Sequence, residues 1–473
     1  MADFVGRKQD LRWLDEQLEQ VASTGRGRFV SMRGRRRVGK SRLVEEFLFR
    51  SGTPHVFFAA SRQHPERELA LFAEEVGESS LPAAGLARGG LSFDSWDGAL
   101  GLLSSTMEGS PAVVVLDEFP YLVEQDPSIE GVLQKVWDRS FSRVPILLIL
   151  VGSDISMMEA LTEYDRPLYG RPTSEMVVRP FDPAQTAEMT GMGAADAMEA
   201  QLVTGGFPLI LQSWRSGEDL WGFLGRELAN PTSPLIVSGE RMLNAEFPTE
   251  AQARRVLVTI GAGERTFSTI GSRASVAQAP LARSLEMLVE RKRVVAVQRP
   301  LSSRSSNDTL YHVADPYLRF WLRFVEPGLQ EIERGRGRVV AEKIKQNWAE
   351  YRGRAIEPLV REALELLLPD ERFGGARYGG GYWNRRGDVE VDLVGAAKKD
   401  RPDRVDFIGS IKWRDRRPFD RKDFTGLSGQ IGDVPGADGS TLLAGVSRTG
   451  FDAHALDIAL SPEDLVGAWR RQA

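Results

Sequence analysis

Cysteine is absent from the 473 residues, which excludes disulfides, thiolate-bound metals and a cysteine nucleophile. Histidine is scarce: the four present, His55 and His64 among them, follow no ligand spacing and read as surface or packing residues. No apolar stretch approaches the ~20 residues that cross a bilayer; the longest, residues 144–151, is far shorter. Residues 1–7 mix acid and base ahead of an amphipathic pattern, so no signal peptide is read, no membrane partner is expected and the cytoplasm is the expected location. The net charge of −5 excludes a wholly basic nucleic-acid coat while allowing a local basic face.

A chain of this length exceeds one core, and roughly two to four domains are expected. In residues 1–180, short β-type runs at 28–32, 55–60, 112–116, 146–151 and 175–178 alternate with helical patterns, including 40–49 and 129–141. Apolar strands of that length interleaved with helices predict a mainly parallel sheet covered on both faces. Residues 181–244 read as a helical lid, opened by Asp182-Pro183 as N-cap and first helical residue. In residues 245–330, helical patterns at 251–260, 266–271 (a short helix or a turn) and 279–291 precede strands at 294–297 and 309–313, with a polar tip at 300–308 between them. That is the outline of a winged helix; a plain helical linker is the alternative. After a charged stretch at 331–338, a last unit is expected over 345–473, with a helix at 351–367 and strands at 388–394, 405–411 and 441–446.

The strongest chemical signal is Gly34-Arg35-Arg36-Arg37-Val38-Gly39-Lys40-Ser41, which fits G-x-x-x-x-G-K-[ST] between a strand and a helix. Backbone N–H groups of such a loop curl around phosphates, glycines removing Cβ atoms where the chain bends against the anion. The helix start adds positive dipole. Lys40 is expected to reach the β and γ phosphates and Ser41 to ligate Mg²⁺, so ATP and Mg²⁺ are the expected ligands. Val113-Val114-Val115-Leu116-Asp117-Glu118 then brings an acidic pair to the carboxyl end of a buried strand, at the same sheet edge. Asp117 suits the metal, and Glu118 suits orienting or deprotonating water, which favours hydrolysis over transfer to another acceptor. Neither Asn-Lys-x-Asp nor Thr-Lys-x-Asp occurs, so guanine selectivity has no support.

With Phe4-Val5-Gly6-Arg7-Lys8-Gln9-Asp10-Leu11, the phosphate loop, and Leu116-Asp117-Glu118-Phe119-Pro120-Tyr121, the chain resembles the archaeal-type ATPases of the STAND-like, AAA-related P-loop branch. Val151-Gly152-Ser153, Leu168-Tyr169-Gly170-Arg171 and Gly205-Gly206-Phe207-Pro208 extend the likeness. The resemblance implies Val5, Gly6 and Arg7 near the adenine and Arg42 beside the phosphate loop. It implies Ser153 as a γ-phosphate sensor and Arg171 as a trans-acting or sensor arginine, consistent with a homo-oligomer. Gly206 and Pro208 would shape the junction with the lid.

It also implies a winged helix and a C-terminal PD-(D/E)xK nuclease-like domain. The expected class is therefore α/β: a P-loop NTPase parallel sheet with a helical lid, then a winged-helix domain and a restriction-endonuclease-like α/β domain. In the tail, Glu357, Glu390, Asp392 and Lys412 match the nuclease pattern, with both strand carboxylates on one face by alternation. Ser410 stands where an acid belongs. The loss marks a domain that keeps its shape for binding or assembly rather than cutting. The basic segment 398–422, with Trp413 and Phe419, suggests phosphate contact and base stacking, although Asp400, Asp403, Asp406 and Asp415 interrupt it as in a solvated charged surface. Arg283, Arg291, Lys292 and Arg293 offer a second basic face. The expected function is an ATP-driven switch contacting DNA or a protein partner; the alternatives are an ATP-gated nuclease and a non-hydrolysing scaffold.

Overall fold

The computed structural model describes residues 4–88, 93–107, 109–247, 249–304, 306, 308–452 and 455–472. The chain divides into two compact units, Met1–Pro180 and Phe181–Ala473. No helix among the described residues is long and apolar enough to cross a membrane.

In the first unit, β1 (Arg28–Arg33), β2 (His55–Ala59), β3 (Ala112–Asp117), β4 (Ile146–Gly152) and β5 (Ser174–Val177) form one sheet in the order β2-β3-β4-β1-β5. Every pairing is parallel. The five predicted strands all occur, with ends shifted by a residue. Every residue of β3 and β4 is buried, as their unbroken apolar runs require when helices cover both faces. Because β1 lies between β4 and β5 while β3 lies on the far side of β4, the loops leaving β1, β3 and β4 open at one carboxyl edge. The helix Lys40–Ser51 leaves that edge, burying Leu43, Val44, Phe47 and Leu48, and ends at Gly52, whose φ of 61° closes the last turn on the Leu48 carbonyl.

The second unit opens with the helix Pro183–Thr190, started by the expected Asp182 cap: Asp182 Oδ1 accepts from the Gln185 amide at 2.8 Å and Gln185 answers at 3.2 Å. The helices Ala251–Gly261, Phe267–Ala274 and Gln278–Glu286 precede an antiparallel hairpin of β6 (Val295–Gln298) and β7 (Leu310–Val313). Residues 266–271 thus hold a helix capped by Thr266, and the third helix widens into a π turn over Met287–Arg291. Of the polar tip at 300–308, residues 305 and 307 lie outside the described residues.

The helix expected from 351 begins fourteen residues earlier, at Gly337, and runs to Leu367. Its first half is charged, and the buried stripe of Val340, Ile344 and Trp348 is too narrow to stand out. A second sheet follows in the order β12-β11-β10-β9-β8. It comprises β8 (Tyr378–Trp383), β9 (Glu390–Ala396), β10 (Phe407–Lys412), β11 (Leu442–Ser447) and β12 (Ile458–Leu460), antiparallel from β8 to β10 and parallel beyond. The sequence reading missed β8 and β12. β8 carries Gly379-Gly380-Gly381, poor in β propensity, and its glycines admit close neighbours: a Cβ on Gly381 would stand 2.7 Å from the Arg361 guanidinium.

Candidate active site

Residues 34–41 bridge β1 and the helix Lys40–Ser51. A Cβ on Gly34 would meet the Val178 carbonyl oxygen at 2.3 Å, so only glycine passes beneath the end of the β5 segment. Arg37 (φ 69°) and Gly39 (φ 91°) take left-handed backbone, which lets the loop curl. Arg35 and Arg37 are half-buried, Arg36 is exposed and Val38 is buried. Lys40 turns back into the loop, its Nζ donating to the carbonyls of Gly34 at 2.8 Å and Arg35 at 3.1 Å. Burial pulls the ammonium down to about 8; Glu118 and Asp117 oppose that shift and Arg36 adds to it.

Ser41 Oγ donates to Asp117 Oδ2 at 2.6 Å, joining the two side chains expected at the metal. Asp117 is buried, and its other oxygen accepts from the Glu118 amide at 2.9 Å. Burial raises its carboxyl above the ordinary range, against the pull of those two hydrogen bonds. Glu118 holds a left-handed φ of 50° where β3 turns into the helix Phe119–Gln125, a costly conformation for a residue with a Cβ. Its Oε2 accepts from Ser153 Oγ at 2.8 Å, and Ser153 follows directly on β4.

Arg36, expected only as part of the phosphate loop, and Arg62, given no role from the sequence, add further contacts. Arg36 donates through Nε to Ser153 Oγ at 3.3 Å and through Nη2 to the Tyr121 hydroxyl at 2.6 Å. Arg62 stacks over the Tyr121 ring at 4.5 Å while binding Glu124. Tyr121 lies three residues beyond Glu118 on its helix, which was the available signal. Lys40, Ser41, Asp117, Glu118, Ser153 and Arg36 thus converge at one sheet edge. A hydroxyl and one carboxylate, beside a loop built for phosphate, fit Mg²⁺, which commonly takes one or two protein oxygens and completes its shell from phosphate and water.

The other expected residues stand around this cluster. Arg7 is buried with φ 60°, and its Nη2 donates to the carbonyls of Val38 at 2.7 Å and Arg179 at 2.6 Å, bracing the phosphate loop. Gly6 beside it is buried and Val5 half-buried. Arg42 is largely exposed and pairs with Glu45 at 3.4 Å and Glu46 at 3.5 Å, on the outer face of its helix. Arg171 donates to the Tyr169 carbonyl at 2.8 Å and to Asp138 at 3.0 Å, and no described contact joins it to the cluster. Pro208 begins the helix Pro208–Leu211 in the second unit. Before it, a Cβ on Gly206 would collide with the Phe181 carbonyl at 1.9 Å.

In the C-terminal sheet, Asp392 on β9 and Ser410 on β10 face each other: Ser410 Oγ donates to Asp392 Oδ2 at 3.0 Å, and the Ile411 amide donates to the same oxygen at 2.7 Å. Glu357 accepts from Arg361, one helical turn on, at 3.0 Å, while Arg361 also donates to the Asp392 carbonyl. Glu390 pairs with Arg265 at 3.6 Å. Lys412 is half-buried at the end of β10. Guanidinium and hydroxyl donors thus occupy the acids, and among the described residues no three of His, Asp or Glu are grouped as metal ligands.

The expectation of base stacking from Trp413 and Phe419 is corrected. Phe419 is fully buried in the core of the second sheet, and buried Trp413 donates Nε1 to Glu199 at 3.0 Å. Lys398 pairs with Asp403 at 2.9 Å, Arg404 with Asp406 at 2.9 Å and Arg414 with Asp423 at 2.8 Å, so this basic segment is partly consumed in internal pairing.

Burial pushes the Glu357 carboxyl up from 4.5 to about 7, with Arg361 opposing and Asp392 adding to the shift. The folded chain then holds this proton more tightly than the unfolded chain. That contribution to stability is full below pH 4.5 and fades as pH rises through 7. A shift of this size corresponds to about 3 kcal/mol above pH 7. Glu357→Gln is therefore expected to raise the denaturant midpoint more at pH 8 than at pH 5. Equal shifts at both values would contradict the assignment.

Residues 4–210 match the family model of an ATPase domain predominantly from Archaea. Residues 321–424 match a family of archaeal and bacterial proteins of unknown function. The chain is 25% identical over 422 residues to an uncharacterized protein of Methanocaldococcus jannaschii, covering 89% of each. Among solved structures, it is similar to the Walker-type ATPase of Pyrococcus abyssi (20% identity, 68% of this chain and 96% of that one, TM-score 0.47). It is also similar to the ORC2 protein of Aeropyrum pernix in its ADPNP–ADP complexes (13% identity, 70% and 96%, TM-score 0.45). The likeness to an archaeal-type ATPase domain thus spans residues 4–210 of this chain.

Proposed function

We propose that the chain is an ATP-binding and ATP-hydrolysing switch whose nucleotide state is read by its second unit. The observation that carries this reading is the convergence of Lys40, Ser41, Asp117, Glu118 and Ser153 at the carboxyl edge of β1, β3 and β4. Lys40 leaves its carbonyl partners for the β and γ phosphates. Ser41 and Asp117 separate to hold Mg²⁺, which when bound neutralises charge on the phosphate oxygens. Glu118 orients the attacking water and takes its proton. Ser153, already bonded to Glu118, aims that carboxylate and responds to the γ-phosphate. Val5, Gly6 and Arg7 border the base, and Arg171 serves a neighbouring copy in a homo-oligomer. The cytoplasm is the proposed location.

In the second unit we read a lid over 181–244, a winged helix over 245–330 and a nuclease-like domain over 345–473, contacting DNA or a protein partner. What supports a reader rather than a cutter is the occupation of Asp392 by Ser410 and of Glu357 by Arg361. Plasmid incubated with the protein, ATP and Mg²⁺ or Mn²⁺ is expected to stay intact, and cleavage lost in Asp392→Ala would reverse the assignment. Ser153→Ala tests the switch itself. Losing one hydrogen bond to a charged group is expected to slow turnover about tenfold with ATP affinity within about twofold. A change in affinity alone, seen by titration beside phosphate release, would make Ser153 a mere binding residue.

A further inference from the structure

A cavity of about 110 Å³ lies in the second unit, bounded by the end of the helix Ala251–Gly261, the strands β6 and β7, the segment around Arg319 and the helix Gly337–Leu367. Four arginines line it, Arg265, Arg319, Arg323 and Arg354, against two carboxylates, Glu350 and Glu357. That excess of positive charge stands inside a protein whose net charge is −5. The charges are poorly answered from within. Arg319 spends its guanidinium on carbonyls, Val313 at 2.7 and 3.0 Å and Ala355 at 3.4 Å, and has no carboxylate in ion-pair range among the described residues. Arg323 likewise donates to the Ala262 carbonyl. Arg354 is exposed at the mouth and makes no ion pair among the described residues, and Arg265 reaches Glu390 only at 3.6 Å. Burial lowers the Arg319 pKa although Tyr351, Asp315 and Glu357 oppose the shift; a buried cation hydrogen-bonded only to carbonyls is costly, and an anion brought to it offsets that cost.

The uncharged lining points the same way. Gln298 and Tyr311 add uncharged polar residues to the lining. Burial first, and then the guanidiniums of Arg319, Arg265 and Arg361, hold the His312 imidazole uncharged. At about 30 Å³ of liquid volume per water, the space equals roughly three to four waters, the size class of one tetrahedral oxyanion. Planar guanidiniums match such an oxyanion through paired N–H donors.

We propose that this cavity is a phosphate site, holding inorganic phosphate or the terminal phosphate of a monoester whose remainder projects past Arg354. Arg319 and Arg323 form the floor, Arg265 and Arg354 close on the anion, and Glu357 limits its affinity by competing for the same positive field. The site is separate from the phosphate loop, and neither needs the other to bind.

The test uses the full chain carrying Lys40→Ala, so that binding at the phosphate loop does not enter. Inorganic phosphate, a 5′-phosphorylated dinucleotide and the same dinucleotide without its phosphate are titrated calorimetrically. Saturable binding is expected for the phosphorylated probes. It should weaken about tenfold or more when exposed Arg354→Ala is added, and by a similar factor with Arg323→Gln, each removing a charge-assisted bond. At pH 8, Glu357→Gln should tighten it severalfold. Tighter binding of the dinucleotide than of inorganic phosphate assigns the site to a nucleic-acid end, and equal or weaker binding assigns it to free phosphate. No saturable binding of either probe, unchanged affinity in the Arg354 variant, or equal binding of the unphosphorylated dinucleotide would overturn the proposal.

Discussion

Glu118→Gln is expected to leave ATP affinity within about threefold while slowing turnover by about 10²–10⁴-fold, the range for a lost general base. The amide keeps the size and one acceptor oxygen of the carboxylate, so the Ser153 hydrogen bond at 2.8 Å has a partner in the variant. It cannot take a proton from water. The left-handed backbone at Glu118 is unchanged by the substitution, which separates chemistry from folding. Phosphate release under single-turnover conditions, beside nucleotide binding by titration, measures both halves. Turnover within threefold of the parent would remove Glu118 from the reaction.

Lys40→Ala acts earlier, on binding. The buried ammonium is proposed to exchange its carbonyl bonds to Gly34 and Arg35 for charge-assisted bonds to phosphate oxygens. At about 1.5–3 kcal/mol each, losing two such bonds corresponds to a drop in ATP affinity of about 10²–10⁴-fold. Alanine also leaves the loop without the side chain that ties it together, so the loss should fall at the high end. Titration of ATP into parent and variant at equal Mg²⁺ measures it, and equal affinities would move the nucleotide site elsewhere.

Most of the nucleotide fold was legible because its signals are local. The runs that became β3 and β4 are wholly apolar, and the loop motif sits between strand and helix, where geometry leaves little choice. The Ser41–Asp117 contact followed from placing both at one sheet edge. The link from Arg36 to Ser153 and Tyr121 joins residues 117 and 85 positions apart, which no local pattern encodes. In the tail, the pairing of Ser410 with Asp392 joins residues 18 positions apart on two strands and was not foreseen. Arg361 was overlooked although its spacing of four from Glu357 is a helical neighbour's. Trp413 and Phe419 misled because aromatics among charges look exposed, while long-range partners such as Glu199 draw them inward. The arginine cavity gathers residues from five separate segments, so no window of the sequence contains it.

The central claim is that the chain hydrolyses ATP at residues 34–41. Phosphate release from ATP and Mg²⁺, with and without DNA, tests it most directly. The account predicts release above background from the parent, none above background from Lys40→Ala, and a DNA-dependent rate if the second unit reads nucleic acid. Tight ATP binding with no phosphate release in either condition would contradict it and leave a nucleotide-bound scaffold.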